Sequence, residues 1–299
     1  MSLVVVGSIA FDSVETPSGR ADDILGGSAT YFAYAASFFT AVRLVGVVGT
    51  DFPPAYRDLL ESRDIDLAGL EVAEGRTFRW SGAYADDMNT RTTRSVDLNV
   101  FGEFDPKIPE AFRDSELVFL ANGSPQVQLR VLDQITRPRL TVADTMNLWI
   151  ETTRDQTLEL MRRVDGMVLN DEEAVMLTGR RNLVAEGRRV LGMGPKFVVV
   201  KKGEHGSLLV TPTGVSALPA YPTDRVVDPT GAGDSFAGAM MGYLATQSVF
   251  DEARLRKAIA YGSVVASFNV EDFSLNRFQE IARDDIDRRL AEYAAMLAV

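Results

Sequence analysis

Apolar runs that end at a glycine or a polar residue recur along most of the chain, separated by stretches long enough for a helix. Residues 3–7 form the first, and 42–48, 117–121, 140–143, 167–169 and 197–200 repeat it. Runs of this length without polar alternation predict strands covered on both faces, as in a parallel sheet. The segments between them supply covering helices. Residues 31–39 are rich in small and aromatic side chains behind Ser28, a suitable N-cap, and 53–62, 232–246, 252–268 and 284–297 also have helical length and composition. The pattern implies an α/β fold with a doubly wound, mainly parallel sheet flanked by helices.

Residues 67–99 break this rhythm. Segments 70–72, 77–84 and 90–96 have β-type composition, separated by turn-rich 73–75 and 86–89, so strand follows strand with no helix between. Within the second segment Phe78, Trp80, Gly82 and Tyr84 share one face, while Arg79, Ser81 and Ala83 share the other. So small a sheet cannot stand alone and must pack on the main body or on another subunit. The expected organisation is a main domain of residues 1–66 and 100–299 with a β insert at 67–99.

Composition narrows the partners. With 299 residues and 46% hydrophobic content the chain can bury one large core, and a net charge of −11 argues against a nucleic-acid surface or docking on anionic lipid. A small molecule is the expected partner. The absence of cysteine excludes disulfides, thiolate zinc sites and a Cys nucleophile, and is compatible with the cytoplasm. The single histidine, His205, excludes a His-based metal cluster, and the N-terminal apolar run is too short for a signal peptide or membrane span.

The chemistry concentrates at residues 228–239, where Asp228-Pro229 leads through Gly231-Ala232-Gly233 into a helix. Backbone N–H groups in a first helical turn lack intrahelical partners and face outward with the positive end of the dipole, so an anion can settle there. Asp234 would repel a phosphate in that cradle unless it serves as a general base for a hydroxyl attacking a γ-phosphate. A Gly-x-Gly-Asp alone fits equally well a dipole-complementing Asp. Neither a P-loop nor a dinucleotide fingerprint matches the glycine spacing.

Asp-x-Thr-Gly-Ala-Gly-Asp-x-Phe at 228–236 resembles the C-terminal signature of the ribokinase family, also called the PfkB carbohydrate kinase family. The resemblance implies a ribokinase-like fold and an ATP- and Mg²⁺-dependent kinase acting on a hydroxyl of a sugar or sugar derivative, with a nucleoside as the alternative acceptor. It makes Asp234 the base and Gly231, Ala232 and Gly233 the anion hole. It also implies that Asp228 and Thr230 hold K⁺ where members need it. An inactive binding module on the same fold would be expected to lose the base or the glycines, and all are present.

Elsewhere the resemblance is carried by shorter motifs. Gly26-Gly27 is similar to the family's substrate motif, with Tyr31 where many members carry Asn, and Asp12 falls on the rim beyond the first strand, where it can bind substrate hydroxyls or local N–H groups. Asp144-x-x-Asn147 resembles a segment between substrate and phosphate, which puts Asn147 on the substrate side. Asn170-x-x-Glu173 is similar to the motif that organises a water-rich Mg²⁺ shell, although a capping box explains the same residue types. Lys201 and Gly203 lie in a nucleotide-side segment, and Asn269 ends a helix that borders the adenine. The insert resembles the family's lid, which in many members pairs with its partner's lid in a homodimer. Its arginines Arg79, Arg91 and Arg94 can meet a polar or anionic acceptor.

Overall fold

The computed structural model describes residues 1–179 and 182–298. The chain runs β1 (Leu3–Val6), β2 (Ala10–Thr16), β3 (Gly19–Gly26), α1 (Ser28–Ser37), β4 (Val42–Gly49), α2 (Pro54–Glu61), β5 (Ile65–Ala73), β6 (Phe78–Tyr84) and β7 (Arg91–Asp97). It continues through β8 (Leu117–Leu120), α3 (Pro125–Leu132), β9 (Leu140–Asp144), α4 (Asn147–Thr152), α5 (Arg154–Arg163), β10 (Gly166–Asn170), α6 (Asp171–Thr178), α7 (Leu183–Leu191) and β11 (Phe197–Lys201). The last part comprises β12 (Ser207–Val210), β13 (Val215–Leu218), α8 (Ala232–Ala245), α9 (Glu252–Asn269), α10 (Asn276–Gln279) and α11 (Arg283–Leu297).

A nine-stranded sheet in the order β13-β12-β11-β10-β9-β8-β1-β4-β5 forms the body, parallel from β11 through β5 and antiparallel at β12 and β13. The apolar runs explain its placement, because alternate side chains of each strand enter separate cores. Val5, Phe119 and Val199 face a core that includes Phe32 of α1, Met240 of α8 and Val264 of α9. Val4, Leu120 and Val198 face the other, with Met161 of α5 and Val190 of α7. Every parallel strand therefore ends on one rim, the side where ligands of open α/β sheets gather.

The smaller sheet has the order β3-β2-β6-β7, with β2 parallel to β6 and the other pairs antiparallel. This corrects the expected insert. The strand placed at 70–72 is the end of β5, which pairs with β4 from Val42 opposite Ile65 to Gly49 opposite Ala73 and so belongs to the main sheet. In exchange, residues 10–26 contribute two strands to the small sheet. The reason is visible in β3, where Gly-Arg-Ala-Asp-Asp-Ile-Leu-Gly buries only its last two residues and carries no apolar alternation to read. Ser28 also differs from expectation: the N-cap is Gly27, and the Ser28 hydroxyl lies 3.0 Å from that of Ser8, tying α1 to the end of β1.

Candidate active site

The first turn of α8 closes on Gly231, whose left-handed φ of 77° makes it the N-cap. A Cβ there would sit 2.4 Å from the Tyr31 ring, so the glycine allows the phenol to pack on the loop. The Ala232 N–H turns back to Pro229 O at 3.2 Å, and the Ser235 N–H reaches Gly231 O at 2.8 Å. The Gly233 and Asp234 N–H groups between them have no backbone partner among the described residues. Of the expected anion-hole residues Gly231, Ala232 and Gly233, the Gly231 and Gly233 N–H groups have no backbone partner among the described residues, while that of Ala232 turns back to Pro229.

Asn269 braces this turn. Its Nδ2 donates to Thr230 O at 2.8 Å and its Oδ1 accepts from Ser235 Oγ at 2.9 Å. It is 1% exposed and is not among the residues lining the cavity beside α8 and α9. Asp228 fixes the same loop by accepting from the Thr230 N–H at 2.9 Å. Its other carboxylate oxygen is buried with no partner among the described residues, an orphan whose chemistry fits a cation.

Lys201 ends β11 and extends to Asp144, the last residue of β9, at 3.6 Å. A Cβ on Gly233 would lie 3.0 Å from the Lys201 ammonium, so the bare glycine brings that charge to the helix start. Asn147, expected on the substrate side, opens α4 and directs its amide to Glu172 at 3.5 Å. Asp144 takes the central place in that segment. The signal for it was its position at the rim end of an apolar strand.

Asn170 and Glu173 make a complete capping box. Glu173 accepts from the Asn170 backbone N–H at 2.8 Å and its side-chain amide at 3.0 Å, while Asn170 Oδ1 accepts from the Glu173 N–H at 2.8 Å. Among the described residues no group of three or more His, Cys, Asp or Glu side chains converges as a metal cage. Carboxylates near the phosphate end without a closed cage fit an ion that keeps most of its water, as Mg²⁺ does.

At the opposite end Asp12 projects from β2 over the Gly26-Gly27 pair. A Cβ on Gly26 would fall 1.9 Å from its carboxylate, and one on Gly27, at φ 94°, would strike Ser8 O at 2.6 Å. Tyr31 is buried beside it, with a hydroxyl that has no partner among the described residues. Thr230 Oγ1 donates to Tyr84 Oη of β6 at 3.3 Å, joining the small sheet to the loop before α8.

These carboxylates crowd a desolvated space. Burial, then the neighbouring Asp228, pushes Asp12 up to about 7 against the opposing Gly27 N–H and Arg91. Asp234 is raised to about 7 by burial and Asp144, with Lys201 opposing. Asp228 is raised to about 6 by burial against its hydrogen bonds to Thr230. Glu173 is raised by burial and Asp144. Burial alone would lower Lys201, but Asp144, Glu173 and Asp234 hold it above its ordinary value, so it stays charged. Burial and the same acidic neighbourhood raise Tyr31 well above the ordinary phenol range, leaving it a donor.

Beyond Lys201 and Gly233 opens a cavity of about 430 Å³, walled by Gly203, Tyr221 and Phe236 and by Ser263 and Ala266 of α9. The turn between β6 and β7 edges it, and Asn89 donates to Glu204 at 3.1 Å.

A glycine-capped helix start, an Asp in its first turn and a carboxylate-bearing flap over a parallel sheet define a class of phosphoryl-transfer protein. The model of the pfkB family of carbohydrate kinases matches residues 2–281, and the chain belongs to that family. It is 33% identical to the cytidine kinase of Thermococcus kodakarensis, over 81% of this chain and 87% of that one. A Burkholderia thailandensis nucleoside kinase in complex with inosine shares the fold with a TM-score of 0.80, at 19% identity over 98% of each chain. An Escherichia coli structure holding ATP and Mg²⁺ gives a TM-score of 0.78 at 16% identity, over 97% of this chain and 99% of that one. The chain is therefore a phosphotransferase with an alcohol acceptor, of the sugar and nucleoside kinase type. Kinases of this family use ATP with Mg²⁺. No described helix is long and apolar enough to cross a membrane.

Proposed function

We propose that this kinase transfers the γ-phosphate of ATP to a primary hydroxyl of a nucleoside. The observation that carries the acceptor class is the likeness to the cytidine kinase, which spans most of both chains. The site supports it: Asp12 stands directly across from Trp80 in the register of β2 and β6, so a hydroxyl-binding carboxylate and a flat indole share one face. That pair suits a ribose and its base. The preference for a sugar acceptor read from the sequence gives way to this reading.

In the proposed mechanism Asp12, with Gly26, Gly27 and Tyr31, holds the acceptor and aims its hydroxyl at the phosphoryl group. Asp234 accepts the hydroxyl proton as oxygen attacks the γ-phosphorus and the bond to ADP breaks. The Gly233 and Asp234 N–H groups and Lys201 stabilise the charge on the moving phosphoryl group. Mg²⁺, when bound, neutralises phosphate charge, and Glu173 with Asn170 and Asp144 would organise its waters. Gly203 and the cavity beside it receive the nucleotide.

Further parts of the reading are the orphan Asp228 oxygen and Thr230 as a K⁺ site, and the small sheet as a lid that excludes water. Exposed Val72, Val96 and Leu98 on and beside the lid support pairing with a second copy. The cytoplasm, where ATP is available, is the compartment that fits. An ADP-release screen over nucleosides and sugars tests the assignment: turnover with cytidine, inosine or another nucleoside is expected, and release with sugars alone would replace the nucleoside by a sugar.

A further inference from the structure

The lid carries four arginines, and their surroundings differ; Arg20 of β3 pairs with Asp22 at 2.8 Å. Arg79 pairs with Asp23 and, at 2.9 Å, with Asp51. Arg94 pairs with Glu15 at 2.6 Å, both of them exposed. Arg91 makes no ion pair among the described residues. Its guanidinium rests instead over the Trp80 ring, 5.5 Å from the centroid. A ring face holds a cation in place without neutralising it.

Sheet register determines where that free charge points. Arg91 lies opposite Tyr84 across β6 and β7, and Trp80 lies opposite Asp12 across β2 and β6. Paired residues share a face, and so do alternate residues of one strand. Arg91, Tyr84, Trp80 and Asp12 therefore all face the same way, and Tyr84 locates that direction by meeting Thr230 beside the first turn of α8. Gly82 completes the arrangement, since a Cβ there would lie 2.3 Å from the Trp80 indole that supports Arg91.

Charge balance gives this cation a purpose. Asp12, Asp144, Glu173, Asp228 and Asp234 surround the site, with Lys201, half-buried, as the cation reaching Asp144 among them. Burial dominates the elevated pKa of Asp12 and Asp234, and Arg91 is among the charges that pull each one back. One arginine on the lid thus acts on both the acceptor carboxylate and the carboxylate in the first turn of α8. The region common to both is the path between acceptor and nucleotide.

We propose that Arg91 is a catalytic residue carried on the lid, binding the equatorial oxygens of the phosphoryl group in transfer from the side opposite Lys201. The assignment rests on the first turn of α8 as the phosphoryl site. An arginine suits the role because its planar fork binds phosphate oxygens in pairs and remains charged. Because the charge arrives with the lid, full stabilisation of the transition state exists only when the lid is over the acceptor.

The test compares Arg91→Ala, Arg91→Lys, Arg94→Ala and Asp234→Asn with acceptor and Mg·ATP at saturation. Arg91→Ala is expected to lower kcat by about 10²-fold, comparable with loss of one transition-state donor. Arg91→Lys should retain part of the rate and Arg94→Ala nearly all of it. Added guanidinium should restore activity to Arg91→Ala, a rescue that repair of lid structure would not produce. Wild-type kcat in Arg91→Ala, or a rise confined to acceptor KM, overturns the proposal. If Asp234→Asn is inert in that event, the site reading survives without Arg91; if Asp234→Asn is also active, both fall.

Discussion

Thr230 and Tyr84, 146 positions apart, meet through their hydroxyls at 3.3 Å, with Thr230 donating. This bond joins the lid to the loop that sets the first turn of α8. Tyr84→Phe removes it while keeping the ring. The expected result is an acceptor KM raised about five-fold, in line with a net hydrogen bond of about 1 kcal/mol, with ATP KM unchanged. Steady-state kinetics varying each substrate in turn checks this, and an equal rise in both constants would place the bond outside acceptor binding.

Asp234→Asn keeps the size of the side chain but cannot accept a proton. Turnover should fall on the order of 10²–10⁴-fold, with ATP affinity similar or tighter. Since Asp234 is raised to about 7, the free enzyme holds it partly protonated near neutrality. The wild-type kcat/KM should therefore climb with pH up to about 7 and level off above it, and a profile flat through that region would remove Asp234 as the base.

Glu173 combines a completed capping box with a carboxylate near the phosphate end. Glu173→Gln retains a side chain that can cap but loses the charge. A raised Mg²⁺ requirement with a small change in melting temperature is expected. A large loss of thermal stability at unaltered Mg²⁺ dependence would assign Glu173 to α6 alone.

Burial is the first cause of the raised Asp12, Asp228 and Asp234 values of about 7, 6 and 7. The folded chain holds these protons where the unfolded chain has released them. Their contribution to stability is thus present at acid pH and lost as pH rises through about 6 to 7. In buffer free of nucleotide, Mg²⁺ and K⁺, the melting temperature should fall between about pH 5.5 and pH 8, and less steeply in Asp12→Asn. Calorimetric scans showing a rise over that interval would count against the burial of these groups.

A last expectation concerns the orphan oxygen of Asp228. Replacing tetramethylammonium by K⁺ at equal ionic strength should increase turnover modestly in the wild type and not in Asp228→Asn. Equal wild-type rates in the two salts would dismiss the cation.

Strands buried on both faces were legible because nothing but apolar residues satisfies them, and β1, β4 and β8 to β11 all followed from runs of Val, Leu and Phe. The 228–236 string was legible for a different reason: each residue type answers a local demand of an anion-binding turn. β3 was not, because its solvent face dominates its composition. Asn269 and Asp144 show the other limit. A polar residue at an element's end can brace backbone or face a ligand, and only the tertiary partners distinguish the two: Thr230 and Ser235 for Asn269, Lys201 for Asp144.

The descent of the small sheet from two separate stretches changes what closure means. Asp12 does not wait on a fixed floor for a cover to arrive, because β2 is itself an inner strand of the flap, flanked by β3 and β6. On the proposed reading, the grip on the acceptor and the shield above it belong to one sheet, because β2 and β6 pair directly. If that sheet closes as a lid, an acceptor held by Asp12 would move with it towards Asp234, so capture and alignment would become a single coordinate. Transplanting substrate preference between relatives would then require moving residues 10–26 together with 78–97, since neither half contains the whole hand.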